Sequence, residues 1–115
     1  MFLNIIIRFT TEKDIPQVLR IENDNFAEPW TKEMFNIMLR KEFLQNVEES
    51  HNFYVCENNS KIIGYIIWEN EYFFNKDEGF LYYIGYVMNF AVVQEERSKI
   101  IIDFYDKIRE EIMYL

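Results

Sequence analysis

Two basic residues, Arg97 and Lys99, stand where the chain passes from an apolar stretch into a helix-like pattern. A strand that leads into the N-terminus of a helix makes an anion site, because the first helical amides lack internal partners and the helix dipole favours negative charge there. The whole chain carries a net charge of −8, so a polyanionic ligand needs a local positive site. The pattern therefore predicts that the turn over residues 94–99 binds an anion.

Two predicted elements position this turn. The strand before it extends from about Phe80 to Val92, and the helix after it is indicated by apolar residues at helical spacing. The helical residues are Ile101, Phe104, Tyr105, Ile108 and Ile112. The binding turn is thus expected between a sheet strand and the last helix.

The N-terminal part of the chain predicts one strand and two helices. Residues 4–10 are rich in β-branched side chains, which favour a strand. Thr10 or Thr11 offers an N-cap for a helix that ends near Asn25. Pro29 interrupts that helical pattern, and Thr31 is suited to cap a second helix.

Three further strands complete the predicted sheet. Residues 52–57 and 61–70 are joined by Asn58, Asn59 and Ser60, a hairpin signal. Gly64 predicts a bulge or close packing in the second of these strands, and residues 71–79 are expected to be a loop before the strand that ends at Val92. The order of elements predicts an α/β (α+β) fold with a central, mostly antiparallel sheet of about four strands and three helices.

Composition limits the classes of function. At 115 residues, half of them hydrophobic and 18% aromatic, the chain is expected to form one ordered domain. Its negative charge argues against nucleic acid or an anionic membrane as a partner, and no apolar run is long enough to span a bilayer. With one cysteine, Cys56, and one histidine, His51, no internal disulfide and no zinc ligand set is expected. This usage fits a reducing, cytoplasmic setting, and no metal is predicted.

Glu22 and the loop over residues 26–31 each allow two interpretations, one structural and one functional. Glu22 falls on the apolar stripe of the first predicted helix, either as a carboxylate at the rim of the core, bonded to backbone or solvent, or as a polar group that faces a cleft. The loop over residues 26–31 either frames a groove or forms a packed corner with Trp30 as its plug. The sequence favours the structural interpretation in both cases.

The residues also resemble, in order, the motifs of the GCN5-related N-acetyltransferase (GNAT) family. The likeness is strongest to its ribosomal-protein alanine and archaeal N-alpha types. Arg8, Thr11 and Asp14 match the motif R-x-x-T-x-x-D, and the motif I-E-x-x-x-F-x-x-P-W-S is matched by Ile21, Glu22, Phe26, Pro29, Trp30 and Thr31. Residues 53–65 resemble F-x-V-A-x-x-x-G-x-I-V-G-Y. Residues 85–88 resemble G-H-V-V, and residues 89–102 resemble N-I-A-V-x-P-x-x-R-G-K-G-I-G. Together the segments cover nearly the whole chain.

The resemblance implies acetyl-CoA as co-substrate and transfer of its acetyl group to an amine. It implies that the strand over residues 90–92 offers backbone groups to the pantetheine arm and the acetyl carbonyl. It also implies that the turn over residues 97–102 gives backbone amides to the pyrophosphate, and that the loop over residues 26–30 borders the substrate. The cofactor-binding residues so implied are Phe90, Ala91, Val92, Arg97, Ser98, Lys99, Ile100, Ile101 and Ile102. The substrate-binding residues are Phe26, Glu28, Pro29 and Trp30.

The chain departs from the family pattern in its turn and in its length. Ser98, Ile100 and Ile102 replace glycines, and β-branched Ile100 is expected to obstruct close approach of the backbone to phosphate, so that restoring glycine at position 100 should tighten binding. The family continues past the position of Leu115 with a strand, a helix and a hairpin that carry its usual catalytic tyrosine and glutamate. The expectation is a single domain over residues 1–115, truncated at its C-terminus relative to the family.

The catalytic residues are therefore unassigned. Tyr86, Tyr83 and Glu28 are candidates by position alone, and a structural aromatic or a solvated charge is the more typical role for each. The strand that would lack its neighbour has a long apolar edge, which favours a homodimer or another polypeptide that completes the sheet.

Three functions remain open at this stage. The first is acetylation of a protein N-terminus, and the second is acetylation of a small amine by the same fold. The third is a degenerate, non-catalytic domain for binding or dimerisation. Ile100 and the early end of the chain favour the third function, whereas Arg97, Lys99 and the segment over residues 89–92 favour an enzyme.

Overall fold

The part of the protein that the structure describes consists of one four-stranded sheet and three helices. A computed structural model of the chain describes residues 5–43 and 49–113. Its elements are β1 (Ile5–Phe9), a short 3-10 turn (Glu12–Asp14), α1 (Ile15–Asn25), α2 (Lys32–Phe43), β2 (Glu49–Asn58), β3 (Lys61–Asn75), β4 (Phe80–Val92), a second 3-10 turn (Gln94–Glu96) and α3 (Arg97–Met113). The predicted set of four strands and three helices is confirmed.

The sheet has the order β1-β2-β3-β4, and every neighbouring pair is antiparallel. Alternate residues of a strand point to opposite faces, and the chain uses both faces. On one face, Phe53 and Tyr65 pack with the residues of α1 and α2. On the other face, Tyr54 and Trp68 pack with α3. The sheet is therefore covered by helices on both sides, with β1 and β4 at its edges.

The hairpin between β2 and β3 forms at the predicted place. Asn59 and Ser60 have φ values of 52° and 68°, which is the left-handed region that two-residue hairpin turns require. The chain reverses there within two residues, so Asn58 pairs with Lys61.

The predicted loop over residues 71–79 is wrong in most of its length. β3 continues to Asn75 and pairs with β4 as far as Phe80, so that only the four residues between them form the turn. Aromatic residues favour paired strands, and here Phe73 lies opposite Tyr82 and Phe74 lies opposite Leu81. Because β2 pairs with β3 only as far as Glu71, residues 72–75 and 80–83 form a short two-stranded arm. β2 also begins earlier than the predicted strand over residues 52–57, at Glu49; residues 44–48 lie outside the described part.

Gly64 combines both of its predicted roles. The pairing of β2 with β3 shifts by one residue next to Gly64, which is a bulge. A Cβ atom at this position would lie 3.0 Å from Cε2 of Phe104 and 3.2 Å from the carbonyl oxygen of Ala91. The absence of a side chain thus lets α3 dock closely on β3 and β4.

The start of α1 is tied to two strands by Arg8. Its guanidinium binds both carboxylate oxygens of Asp14, at 2.8 and 2.9 Å, and lies 3.0 Å from Oε2 of Glu57. Asp14 also accepts the backbone N–H of Thr11 at 2.8 Å, so that Thr11 begins the helical segment as predicted. The R-x-x-T-x-x-D segment is therefore a structural clamp between β1, β2 and α1.

Candidate active site

A cavity of about 210 Å³ opens where β4 ends, between the end of α1 and the first turns of α3. Its lining residues are Asn25, Phe26, Phe90, Ala91, Val92 and Ile101. A larger groove of about 490 Å³ lies along α2 and is lined by Thr11, Glu12, Asn36, Leu39 and Arg40, but it shares no residue with the predicted site. The smaller cavity is the one that brings together residues predicted to bind cofactor and substrate.

A bulge in β4 shapes one wall of this cavity. Ile67 pairs with Asn89 but Trp68 pairs with Val87, so Met88 is an extra residue in β4. A bulge bends a strand and re-aims the residues beside it. Only Asn89 separates the bulge from residues 90–92, and no pattern in the sequence indicated it.

The backbone amide of Phe90 faces the open side of β4. Bonded and non-bonded pairs alternate in an antiparallel ladder, and the Val93 amide donates to the Ile63 carbonyl at 2.8 Å. Ala91 and Asn89 lie two and four positions before Val93, so their amides also point to β3. The Phe90 amide lies between them and points away from β3. Instead, Phe90 donates its N–H to Oδ1 of Asn89 at 2.8 Å. The open edge of β4 therefore has a backbone donor beside the cavity.

The predicted basic turn over residues 94–99 is helical. A 3-10 turn over Gln94–Glu96 leads directly into α3, which begins at Arg97. Only the first amides of a helix lack partners, so the amides of residues 100–102 belong to the helical ladder. The segment over residues 97–102 that the resemblance assigns to the pyrophosphate is thus the start of α3. The amides without helical partners are those of its first residues. The side chains of Arg97, Ser98 and Lys99 lie outside the described part.

The three isoleucines at the start of α3 have different surroundings. The side chain of Ile100 is fully buried, in the core cluster with Phe104 and Val92. Ile101 lines the cavity, and Ile102 is exposed. The side chain of Ile100 thus packs under the sheet and does not line the cavity, because the helix turns it away from the site.

The loop before α2 contributes one residue to the cavity. Phe26 lines it, whereas Glu28, Pro29 and Trp30 do not. Trp30 is half-buried and packs on Phe35, with ring centroids 5.4 Å apart. This contact agrees with the packed corner that was one of the two interpretations of this loop. The candidate catalytic residues Tyr86 and Glu28 are exposed and are not part of the lining, and the side chain of Tyr83 lies outside the described part.

Glu22 is buried more completely than either sequence interpretation implied. Only 1% of it is exposed. Its Oε2 accepts the backbone N–H of Trp30 at 3.1 Å, and its Oε1 accepts from Nδ2 of Asn89 at 2.7 Å and from the Tyr65 hydroxyl. Burial, reinforced by the neighbouring Glu22 carboxylate, raises the pKa of Tyr65. Sequence patterns gave no sign of this network, since its members come from distant parts of the chain.

Cys56 is not a candidate nucleophile. Cys56 is buried, and burial raises the pKa of its thiol to about 12, so it is an inert core residue.

Over residues 5–43 and 49–113, no group of three His, Cys, Asp or Glu side chains is arranged to hold a metal ion. In the same ranges, no helix is long and apolar enough to cross a membrane.

Comparison with known proteins gives matches in structure alone. No protein-family model and no curated protein sequence matches the chain. The ribosomal-protein-S18-alanine N-acetyltransferase from Escherichia coli is similar with a TM-score of 0.64 and 16% identity, over 94% of this chain and 59% of that enzyme. A GNAT family acetyltransferase from Staphylococcus aureus has a TM-score of 0.59 and 19% identity, over 93% of this chain and 76% of that one.

A third similar structure is a possible acetyltransferase from Clostridium difficile, with a TM-score of 0.56 and 14% identity, over 94% of this chain and 70% of that one. At these identities the likeness shows the fold. The chain therefore has the fold of the GNAT acetyltransferases and spans 59% of the length of the Escherichia coli enzyme.

Proposed function

We propose that this chain binds acetyl-CoA and transfers its acetyl group to an amine. The observation that carries the proposal is the cavity at the end of β4, which is lined by residues 90–92 in a chain with the GNAT fold. In the resemblance drawn from the sequence, these residues bind the pantetheine arm. The cavity is open to one side of β4, where an extended arm has room to lie along the strand.

The reaction is a direct displacement. The amine nitrogen attacks the acetyl carbonyl carbon, the C–S bond breaks, and the CoA sulfur leaves as thiolate and takes up a proton. The protein must accept a proton from the amine and polarise the carbonyl. The Phe90 amide on the open side of β4 already donates to Oδ1 of Asn89, and it is suited to the second task as a bifurcated donor shared between that oxygen and the acetyl carbonyl. No side chain is assigned to the first, since Tyr86 and Glu28 do not line the cavity.

An adjoining cavity suits the acceptor. It measures about 210 Å³, shares Asn25 with the first cavity, and is also lined by Ile21, Asp24, Val93, Gln94 and Glu95. The carboxylates of Asp24 and Glu95 favour a cationic amine over an anionic group there. This charge supports an amine as the acceptor.

A protein N-terminus is the acceptor that we favour within this proposal. The Escherichia coli protein of similar fold is, by its name, an alanine N-acetyltransferase for a ribosomal protein. Phe26 lines the cavity, and the resemblance implies that its loop borders the substrate's first residues. A small amine of the same charge is the alternative. The non-catalytic alternative is favoured by the start of α3, where isoleucine replaces glycine and residues 100–102 belong to the helical ladder.

Calorimetric titration with acetyl-CoA tests the proposal. We expect one ligand per site, and we expect Ile101→Glu to weaken binding by about tenfold or more, since it puts a negative charge at the wall of the cavity proposed to hold the pantetheine arm of a polyanionic ligand. Ile37→Glu on α2 is the matched control, because Ile37 and Ile101 are similarly exposed, 41% and 46%, and it should change affinity less than about twofold. No heat of binding at millimolar acetyl-CoA contradicts the proposal, and binding without acetyl transfer to any N-terminal peptide or small amine supports the non-catalytic alternative.

A second copy of the chain is expected to pair with the outer part of β4. β4 is an edge strand and has no charged residue from Phe80 to Val92, so it lacks the usual protection against pairing. The chain has a net charge of −8, which makes a neutral strand the favourable place for two copies to meet. Pairing over residues 80–87 does not cover residues 90–92, where the cofactor is proposed to bind.

Light scattering coupled to size exclusion measures this association. A dimer mass is expected for the unaltered chain, and Val87→Lys should shift it to the monomer because it places charge on the pairing edge. Ile6→Lys, an exposed position on the opposite edge strand β1, should leave the dimer intact. A monomer that persists at high concentration rules the pairing out.

A further inference from the structure

The carboxylate of Glu22 joins the two walls of the candidate site. One wall is the end of β4, which Glu22 reaches through Asn89, and the other is the loop before α2, which it reaches through the Trp30 amide. The Tyr65 hydroxyl on β3 completes its set of donors. A single buried group therefore connects α1, β3, β4 and the loop that carries Phe26 into the cavity.

The donors around Glu22 specify a carboxylate. Three neutral donors converge on two oxygens, and an ionised carboxylate accepts at both oxygens whereas an amide accepts at one and donates at the other position. Hydrogen bonds to a carboxylate are also shorter and stronger than those between neutral groups. A glutamine at this position can satisfy Tyr65 and Asn89, but it then sets its NH₂ group against the Trp30 N–H.

Asn89 relays the effect of Glu22 to the open edge of β4. Its Nδ2 donates to Glu22, and its Oδ1 accepts the Phe90 amide at 2.8 Å. The two ends of a planar amide turn together, so fixing Nδ2 also fixes Oδ1 in front of the Phe90 N–H. This is the backbone donor that borders the cavity beside the bulge at Met88.

We propose that Glu22 is a positioning residue of the candidate site, which sets the Phe90 amide through Asn89 and the loop before α2 through Trp30. It does not touch the cavity itself, since it is absent from the lining. The inference rests on the proposed function for its consequence in acetyl-CoA binding, but the hydrogen bonds it names can be tested without a ligand.

Amide hydrogen exchange measured by NMR on the free protein is the first readout. In Glu22→Gln we expect exchange at both Trp30 and Phe90 to become faster by about tenfold, while the amides of β2, which report global opening, change much less. In Asn89→Ala only Phe90 should become faster, because Trp30 is bonded to Glu22 directly. Glu33→Gln, an exposed carboxylate on α2, and Asn23→Ala, an exposed asparagine on α1, are the matched controls.

Acetyl-CoA affinity by calorimetry is the second readout. We expect a loss of about fivefold or more in Glu22→Gln and in Asn89→Ala, against less than about twofold in the two controls. Unchanged exchange at both amides overturns the proposal. Faster exchange with unchanged affinity also overturns it, because Glu22 would then stabilise the fold without positioning the site.

The two proposals fail in different ways. If the unaltered chain does not bind acetyl-CoA, the proposed function fails, and the exchange pattern at Trp30 and Phe90 alone decides whether Glu22 positions these two segments. If Glu22→Gln does not fold, Asn89→Ala still decides the relay to Phe90, since it removes a side chain on the edge strand and leaves Glu22 with two donors.

Discussion

Ile100→Gly is expected to lower the free energy of unfolding by about 3–6 kcal/mol. Truncation of a buried isoleucine costs about 2–5 kcal/mol, and glycine inside a helix costs roughly 1 kcal/mol more. Ile100 is fully buried against Phe104 and Val92, so its removal leaves a cavity under α3. Because a small domain is stable by only about 5–15 kcal/mol, this single change is expected to bring the chain close to unfolding.

The matched control is Ile102→Gly. Ile102 lies two positions further along the same helix but is exposed. This variant should therefore lose only about 1 kcal/mol of unfolding free energy, which is the cost of glycine inside a helix. Denaturant titration of both variants gives the difference that burial makes. Equal losses would show that Ile100 is not packed in the core. Ile100→Gly should not tighten acetyl-CoA binding either, since the side chain it removes does not line the cavity.

Asp14→Asn is expected to lower the free energy of unfolding at neutral pH by about 2 kcal/mol. The variant loses a charge-assisted pair with Arg8 and part of the cap on Thr11, worth about 1.5–3 and 1 kcal/mol in general. The lower part of that range applies because the Arg8 side chain is 34% exposed and solvent screens the pair.

The same substitution should make stability less dependent on pH in the acid range. Burial raises the pKa of Asp14, but the hydrogen bonds from Arg8 and Thr11 outweigh burial and hold that pKa below its usual value. A lowered pKa in the folded state stabilises the fold above the unfolded value of about 3.9, and this stabilisation is lost as the pH falls through the folded value. The two proteins should therefore differ at pH 7 and converge as the pH falls below about 4.

Thermal or denaturant unfolding from pH 7 down to pH 2 measures this convergence. Glu12→Gln is the control, since Glu12 lies in the same 3-10 turn and is exposed, and it should shift stability by less than about 0.5 kcal/mol at either pH. A constant difference between Asp14→Asn and the unaltered chain across this range contradicts the assigned role of the Arg8 pair.

Local patterns in the sequence determined the elements of this fold. The helical spacing of Ile101 and Phe104, the N-cap residue Thr31 and the turn pair Asn59 and Ser60 each act within a few residues, so the order of helices and strands could be predicted from them. The family resemblance, carried by motifs in order, also pointed to residues 90–92 and Phe26, which the structure brings to one cavity.

Tertiary structure alone decided the partners of these elements. Glu22 meets Tyr65 and Asn89 across 43 and 67 positions of the chain, and no local pattern specifies such a contact. The same holds for the bulge at Met88, since strand register depends on both neighbouring strands together. The inward direction of Ile100 depends on where α3 begins and which face it docks. The sequence by itself thus determined the elements and indicated the site's location, and packing between distant segments decided its geometry.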